Sequence, residues 1–352
     1  MPARSFRLLA VCAGICALAV PAAAAGARTA APPIALGVSV SDPGRSADLQ
    51  SYVSSVGRRP AMVMWFQSFD EPLYYAGQLA AVHRLGAAPM VTWEPAHGPA
   101  PVPLQSIAAG AEDAYLRRAA AAATRWHGPL FVRFAAEMNV ASSPWGPGTP
   151  GDTPADYVAA WRHVVSVFRQ AGATNVRWVW SPNVDCGGRC PFAAYYPGDR
   201  WVDWVALDGY NYAAADDLPW MSFAQIFGPS YDRLEALTRK PLLIAETSSG
   251  EAGGDKAAWI RQSFLQTIPA RLPNVRAVVW WQHDDPEADW RVNSSAPALA
   301  AFRGVAASPR YAGTAAALSD PTARPAAKTV ARFQTCVART KPSVSGCAPS
   351  RR

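Results

Sequence analysis

Two glutamates at the ends of short, mostly apolar runs are the residues best suited to catalysis. Glu137 follows residues 130–136, and Glu246 follows residues 241–245. Two facing carboxyl groups can cleave a glycosidic bond, because one protonates the leaving oxygen while the other, ionised, attacks the sugar or positions water. Glu137 and Glu246 are therefore the candidate catalytic pair. For either glutamate taken singly, a structural ion pair with an arginine is the alternative.

Arg133 and Asp208 are charged residues on otherwise apolar runs. Side chains alternate along a strand, so Arg133, four residues before Glu137, shares its face, and Asp208 shares the face of Tyr210. A guanidinium near carboxyl groups favours their charged form. An internal Arg133–Asp208 ion pair is the alternative to a role in binding sugar.

Tryptophans near the ends of the apolar runs form a second signal. The apolar faces of sugar rings stack on indole, so such residues can line a sugar cleft, but a tryptophan is also a large core residue. Adjacent Trp280 and Trp281 cannot both face one cleft. The candidates are Trp65, Trp93, Trp145, Trp180, Trp280 and Trp281.

Eight strand-like runs separated by helix-like stretches must position these residues. The runs are residues 34–41, 61–69, 89–93, 130–136, 176–181, 202–210, 241–247 and 275–282. Alternating strands and helices indicate a parallel sheet, and eight units over this length predict an α/β fold of the (β/α)8 TIM barrel type. An open doubly wound sheet is the alternative, but no glycine-rich dinucleotide fingerprint follows the first run.

A barrel of this kind predicts where the two glutamates meet. Active sites of (β/α)8 barrels form at the carboxyl ends of the strands. Glu137 and Glu246 are 109 residues apart, which is about three strand–helix units. We therefore expect them on opposite walls of one barrel mouth.

Several motifs together resemble glycoside hydrolase family 26, the β-mannanase family, over roughly residues 60–303. The matching segments are Arg133 with Glu137-Met138-Asn139 and Trp145, residues 91–95, 196–199, 202–203, 207–210, 243–247, 289–291 and 294–295. The resemblance implies retaining double displacement on a β-linked polysaccharide, most simply β-1,4-mannan, with glucan and xylan as alternatives. It makes Glu246 the nucleophile and Glu137 the acid/base. The substrate-binding residues implied are Arg133, Asn139, Trp145, Asp208, Tyr210, Trp93 and Trp280.

One position departs from this family. Members usually carry histidine directly before the acid/base glutamate, where this chain has Ala136, and Val140 stands where glycine is common. The missing imidazole removes a hydrogen-bond donor. A catalytically silent, carbohydrate-binding barrel is therefore the alternative function.

The first 25 residues have the pattern of a secretory signal peptide. Arg4 and Arg7 precede a short apolar run at 8–20, followed by small residues up to Ala25. A membrane anchor needs about 20 strongly apolar residues. We expect cleavage near Ala25 and a secreted, extracellular protein with no membrane attachment afterwards.

Four cysteines lie beyond this segment, and an even number in an exported chain predicts disulfides. The local pairing Cys186–Cys190 and Cys336–Cys347 is favoured by sequence distance. A zinc site at 186–190 is the alternative, although no second cysteine or histidine pair lies nearby to complete it.

None of the five histidines forms a pair at metal-ligand spacing, so no metal and no cofactor is expected.

The net charge of +7 is concentrated in a tail. Residues 304–352 carry +7 and residues 1–25 carry +2, which leaves −2 on residues 26–303. A nucleic-acid site needs its cations on the folded body, so no such site is expected.

We predict a signal peptide at 1–25, a barrel at 32–305 and a linker with a basic tail at 306–352. The protein is expected to be a monomer whose tail contacts the cell wall, and truncation near residue 306 should leave activity unchanged.

Overall fold

The computed structural model describes residues 32–45, 47–149, 151–212 and 218–319. The predicted signal peptide and the predicted Cys336–Cys347 disulfide lie outside these residues. Within them, no helix combines the length and the apolar character needed to cross a bilayer.

Eight parallel strands close into a barrel, which confirms the predicted fold. Around the barrel they follow the order β1-β10-β9-β8-β7-β6-β3-β2, and β4 with β5 forms a separate two-stranded hairpin. The strands are β1 Ala35–Ser39, β2 Met62–Ser68, β3 Ala88–Glu94, β4 Ala96–His97, β5 Ala100–Pro101, β6 Leu130–Phe134, β7 Val176–Trp180, β8 Trp204–Asp208, β9 Leu242–Thr247 and β10 Val275–Trp281.

Helices surround the barrel, and most of them cover its outer face. They are α1 Ala47–Val56, α2 Ala76–Arg84, α3 Leu104–Ala108, α4 Asp113–Arg125, α5 Pro154–Gln170, α6 Phe223–Leu237, α7 Lys256–Gln262, α8 Ile268–Arg271, α9 Ala296–Ala307 and α10 Ala315–Leu318. Helix α5 shows how local sequence sets a boundary: the Thr153 hydroxyl caps the first turn, and Pro154 occupies a position that needs no N–H donor.

The strands are buried on both faces, because one face lines the barrel and the other packs under the helices. The inner face carries alternate residues such as Met62, Met64 and Met90, which belong to one buried cluster. The outer face carries residues such as Trp93 and Trp280, which pack with the helices in a second and larger cluster. Which cluster a strand residue joins therefore decides whether it can reach the barrel mouth.

The barrel continues beyond the predicted boundary at residue 305. Tyr311 is buried and donates its hydroxyl proton to the Phe264 carbonyl at 2.6 Å. The Ile34 N–H donates to the Arg310 carbonyl at 2.8 Å, and Leu318 is also buried. The prediction of a linker from residue 306 is thus wrong as far as Ser319, because a few large residues anchor an alanine-rich segment to the fold.

Candidate active site

Arg133 occupies the centre of the barrel mouth and is fully buried. Its Nη1 atom donates to Glu246 Oε1 at 2.5 Å and to Thr92 Oγ1 at 3.2 Å. Its Nη2 atom donates to Asp208 Oδ2 at 2.9 Å. One guanidinium on β6 therefore joins side chains from β3, β8 and β9.

A β-bulge in β9 turns Glu246 toward Arg133. Ile244 pairs with Leu207 of β8, but the next pair is Asp208 with Glu246, so β9 has one extra residue there. The pairing with β10 shows the same extra residue before Thr247. Ala245 already belongs to the inner cluster, and regular alternation would point Glu246 outward. The bulge allows two successive residues to face the barrel axis.

Tyr210 holds the second carboxylate oxygen of Glu246. Its hydroxyl donates to Oε2 at 2.5 Å. Burial and the neighbouring charge of Glu246 raise the pKa of Tyr210 well above its usual value, so the phenol keeps its proton. Both oxygens of Glu246 therefore accept hydrogen bonds, which favours the ionised carboxylate and fixes its orientation.

Asp208 is the second carboxylate bound by Arg133, as the ion-pair interpretation predicted. It is fully buried and also accepts a hydrogen bond from Ser181 Oγ at 2.8 Å. Burial raises the pKa of Asp208, and Arg133 opposes that rise. Asp208 on β8 binds Nη2 of Arg133, and Glu246 on the neighbouring strand β9 binds Nη1, so the three side chains form a buried carboxylate–guanidinium–carboxylate row.

Glu137 follows β6 in a backbone conformation that side chains seldom adopt. Its φ is 57°, and that of Ala135 is 44°. A positive φ costs free energy in residues other than glycine, and such strain tends to occur at functional sites. The Glu137 N–H donates to the Ser181 carbonyl at 2.8 Å, and Asn183 Nδ2 donates to Glu137 Oε1 at 2.8 Å.

Asn139 and Trp145, two of the predicted substrate-binding residues, brace the backbone around Glu137. Asn139 Nδ2 donates to the Asn183 carbonyl at 2.9 Å, and its Oδ1 accepts from the Asn183 N–H at 2.9 Å. Trp145 Nε1 donates to the Ala136 carbonyl at 2.6 Å. Asn139 therefore orients Asn183, the residue that contacts Glu137. Asn183 was not predicted, although it follows the end of β7.

The structure does not bring Trp93 and Trp280 to the mouth, so their prediction as sugar platforms is wrong. Trp93 is fully buried against Phe69, with ring centroids 5.0 Å apart. Trp280 is buried against Phe302 at 5.2 Å. Both residues lie on the strand face that packs under the helices.

Trp281 takes the place predicted for Trp280. It belongs to the inner cluster, and its ring lies 6.1 Å from that of Tyr210 and 5.6 Å from that of Phe66. His283 packs on Trp281 with ring centroids 4.0 Å apart and lies 3.0 Å from Ser39 Oγ. Burial lowers the pKa of His283, so its imidazole is neutral at neutral pH. Strand alternation from Ala277 would have identified Trp281.

Cys186 and Cys190 are thiols in this structure, so the predicted disulfide between them is not formed. Cys186 lies in a 3₁₀ turn with a φ of 53°. A hydrogen bond from the Cys186 thiol lowers the pKa of Cys190 to about 7. The turn thus places the thiols in contact without a covalent bond. Across the described residues, no three histidine, cysteine or acidic side chains are grouped so that they could hold a metal ion.

Comparison with known proteins gives a family match and two similar curated proteins. Residues 114–262 match the family described as "Glycosyl hydrolase family 26". Endoglucanase H of Acetivibrio thermocellus is 36% identical over 261 residues, which are 72% of this chain and 28% of that protein. Mannan endo-1,4-beta-mannosidase A and B of Caldalkalibacillus mannanilyticus is 29% identical over 129 residues, which are 36% of this chain and 21% of that protein. The chain thus spans less than a third of either relative.

Solved structures share the fold. The catalytic domain of a Bacillus sp. JAMB-750 endo-beta-1,4-mannanase superposes with a TM-score of 0.60 at 19% identity, covering 82% of this chain and 88% of that one. A modular endo-beta-1,4-mannanase from Cellulomonas fimi superposes with a TM-score of 0.61 at 18% identity, covering 84% and 75%. At these identities the likeness extends to the barrel architecture alone.

Proposed function

Because the barrel of this chain belongs to glycosyl hydrolase family 26, we propose that the protein is an endo-acting β-glycosidase that uses Glu246 and Glu137. The observation that carries this proposal is the hydrogen-bonded state of Glu246. Arg133 and Tyr210 each donate a hydrogen bond to one oxygen of Glu246. Arg133 is on β6, the strand that leads to Glu137.

The mechanism that fits these contacts is double displacement with retention. Ionised Glu246 attacks the anomeric carbon and forms a glycosyl ester, while Glu137 gives its proton to the departing glycosidic oxygen. Glu137 then takes a proton from water, which attacks the same carbon and releases Glu246. Glu246 loses its charge in the ester, and Asp208 remains as the carboxylate partner of Arg133. The Asn183 amide orients Glu137 in both steps.

Removing each carboxyl group tests these assignments. We expect Glu246→Ala and Glu137→Ala to lower kcat at least about a thousandfold with the fold intact, as judged by circular dichroism and reducing-sugar release. Glu235→Ala, on the outer helix α6, is the matched control and should keep wild-type turnover. Near-normal turnover of either mouth variant would show that its glutamate has another role.

The stereochemistry has a separate test. Proton NMR of the first products reports their anomeric configuration, and we expect the configuration of the substrate. An inverted anomer would contradict a nucleophilic role for Glu246 and would mean that water attacks directly.

We propose β-glucan as the first substrate to test and β-mannan as the second. The relative with the higher identity is named an endoglucanase and is matched over 261 residues, whereas the mannosidase is matched over 129. Motif resemblance by itself favours mannan. Reducing-sugar release from glucan, mannan and xylan decides between them. A wild-type protein that binds these polymers but releases no sugar would favour the silent binding barrel, for which Ala136 is the motivating feature.

We further propose that the protein is secreted as a monomer and contacts the cell wall through its basic tail. Residues 1–25 have the signal-peptide pattern, and residues 320–352, which follow the barrel, carry a net charge of +6. The amino-terminal residue of the secreted protein, determined by Edman degradation, tests cleavage near Ala25. Its mass in solution, measured by light scattering, tests the monomer. Salt-sensitive retention on purified walls tests the role of the tail.

A further inference from the structure

Lys256 is a buried lysine that the proposed mechanism does not use. It begins helix α7, directly after the N-cap Asp255, and only 1% of its surface is exposed. Lysine is seldom fully buried unless its ammonium group finds partners, because removing that charge from water costs free energy. The position of those partners therefore shows what the lysine holds.

The three hydrogen bonds that Lys256 Nζ donates all reach one loop, between β10 and α9. Its Nζ atom donates to the Asp289 carbonyl at 3.1 Å, to the Arg291 carbonyl at 2.9 Å and to Ser294 Oγ at 2.8 Å. An ammonium group has three N–H donors, so these acceptors use all of them. The two carbonyls belong to the residues on either side of Trp290.

Trp290 connects this loop to the nucleophile. Its buried ring packs on Tyr210, with centroids 5.5 Å apart. Its carbonyl accepts hydrogen bonds from Ser248 Oγ at 2.7 Å and from Trp280 Nε1 at 2.9 Å. Tyr210 in turn donates its hydroxyl proton to Glu246.

We propose that Lys256 is a positioning residue of the active site. By tethering the backbone on both sides of Trp290, it holds the Trp290 ring against Tyr210 and so keeps the Tyr210 hydroxyl on Glu246. This proposal rests on the proposed function, since it assigns Lys256 an effect on the reaction of Glu246.

The surroundings of Lys256 favour a tether over a conventional ion pair. Glu251, Asp289 and Arg291 are the charged groups that act on it, and the Trp280 ring lies 5.8 Å from Nζ. The Asp289 carboxylate accepts from the Arg291 side chain at 2.7 Å, while Lys256 binds the Asp289 main chain. An apolar side chain would fill the space but would leave acceptors of the loop without donors.

A double-mutant cycle separates positioning from general stability. We expect Lys256→Met to lower kcat about 10- to 100-fold with KM changed less than about threefold, because it loosens an interaction on the reacting carboxylate. In a Tyr210→Phe background, the same change should lower kcat less than about threefold. Lys240→Met, a lysine between α6 and β9, is the matched control and should leave kcat and KM unchanged. Equal losses in both backgrounds, or no loss in the wild type, would overturn the proposal.

Two further measurements test the proposal if Lys256→Met does not fold or if the wild type shows no activity. If Lys256→Met does not fold, Ser294→Ala is used in its place, because it removes one of the three hydrogen bonds of Lys256. We expect Ser294→Ala to lower kcat about threefold in the wild type and to leave kcat unchanged in a Tyr210→Phe background. An equal loss of kcat in both backgrounds would overturn the proposal.

If the wild type cleaves none of the polymers, the proposed function fails, and hydrogen exchange tests the tether separately. The Trp290 N–H, which donates to the His283 carbonyl at 3.0 Å, should then exchange at least about tenfold faster in Lys256→Met or Ser294→Ala. Unchanged exchange would overturn the tether.

Discussion

Arg133 is fully buried between two carboxylates and is the residue on which the mouth depends most directly. Arg133→Met would leave Glu246 and Asp208 facing each other without a cation. We expect a loss of about 3–5 kcal/mol in the free energy of unfolding, because breaking a buried ion pair leaves charge uncompensated. Activity should fall at least about a hundredfold. Urea unfolding and kcat measure the two effects.

An exposed arginine gives the control for this prediction. Arg117 pairs with Asp113 on the surface of α4 with 63% of its side chain exposed, so Arg117→Met should cost less than about 1 kcal/mol. Adding Asp208→Asn to Arg133→Met should recover part of the lost stability. A double variant less stable than Arg133→Met would contradict the repulsion argument.

Because of Lys256, raising the pH above about 8 should increase the stability of the protein and lower its activity. Burial lowers its pKa to about 8, below the value of about 10.4 in an unfolded chain. The folded protein therefore loses this proton first, and wild-type stability should rise relative to Lys256→Met between pH 8 and about 10.4, by at most about 3 kcal/mol. Activity should fall over the same range, because a neutral amine has two N–H donors for three acceptors. Unfolding free energies at pH 7 and 10 test the first effect, and a flat difference would contradict it.

Several site residues could be predicted from the sequence, and the misses have a common cause. Glu137, Glu246 and Arg133 stand out as charged residues in apolar runs, and the structure brings them to one mouth. Trp280 and Trp281 are adjacent, so their roles depend on which face of β10 points inward. Composition carries no such information, and only the alternation of the whole strand resolves it.

At the scale of elements, the bulge in β9 lets Glu246 follow the inward-facing Ala245 and still point into the mouth. Deleting Ala245 would restore one-to-one pairing with β8 and β10 and would place Glu246 directly after the outward-facing Ile244, in the inward position that Ala245 holds. We therefore expect the deletion variant to stay clearly more active than Glu246→Ala while far-ultraviolet circular dichroism stays native-like. Ala245→Gly keeps the residue count and should retain activity within about threefold. A deletion variant as inactive as Glu246→Ala would show that Glu246 reaches the mouth only with the bulge.

The order of strands and helices was predictable, but their irregularities were not. The sequence pair Thr153-Pro154 marks the start of helix α5, because a cap residue followed by a first-turn proline is a helix start signal, and the helix is observed at Pro154–Gln170. The bulge in β9 has no such local signal. Neither do the positive φ angles of Ala135 and Glu137, since alanine and glutamate normally avoid that conformation. These irregularities are imposed by tertiary packing.

At the scale of the whole molecule, residues 304–319 are part of the barrel. Tyr311 fills a buried site, and Arg310 binds the first described segment through the Ile34 N–H. Ending the chain at residue 306 should therefore lower the melting temperature by at least about 5 °C or prevent folding, contrary to the expectation from composition. A chain ending at Ser319 should keep wild-type stability and turnover. Differential scanning calorimetry of both truncations compares them, and equal melting temperatures would contradict this boundary.

The row of charges around Arg133 also has a kinetic consequence. Arg133 donates hydrogen bonds to Thr92, Asp208 and Glu246. These partners come from three other strands and are spread over 155 residues of the chain. Such long-range contacts form late in folding, because distant segments must meet before any of them is made. During refolding, enzymatic turnover should therefore return after the helices have formed, and its time course would report the moment at which the last strands join.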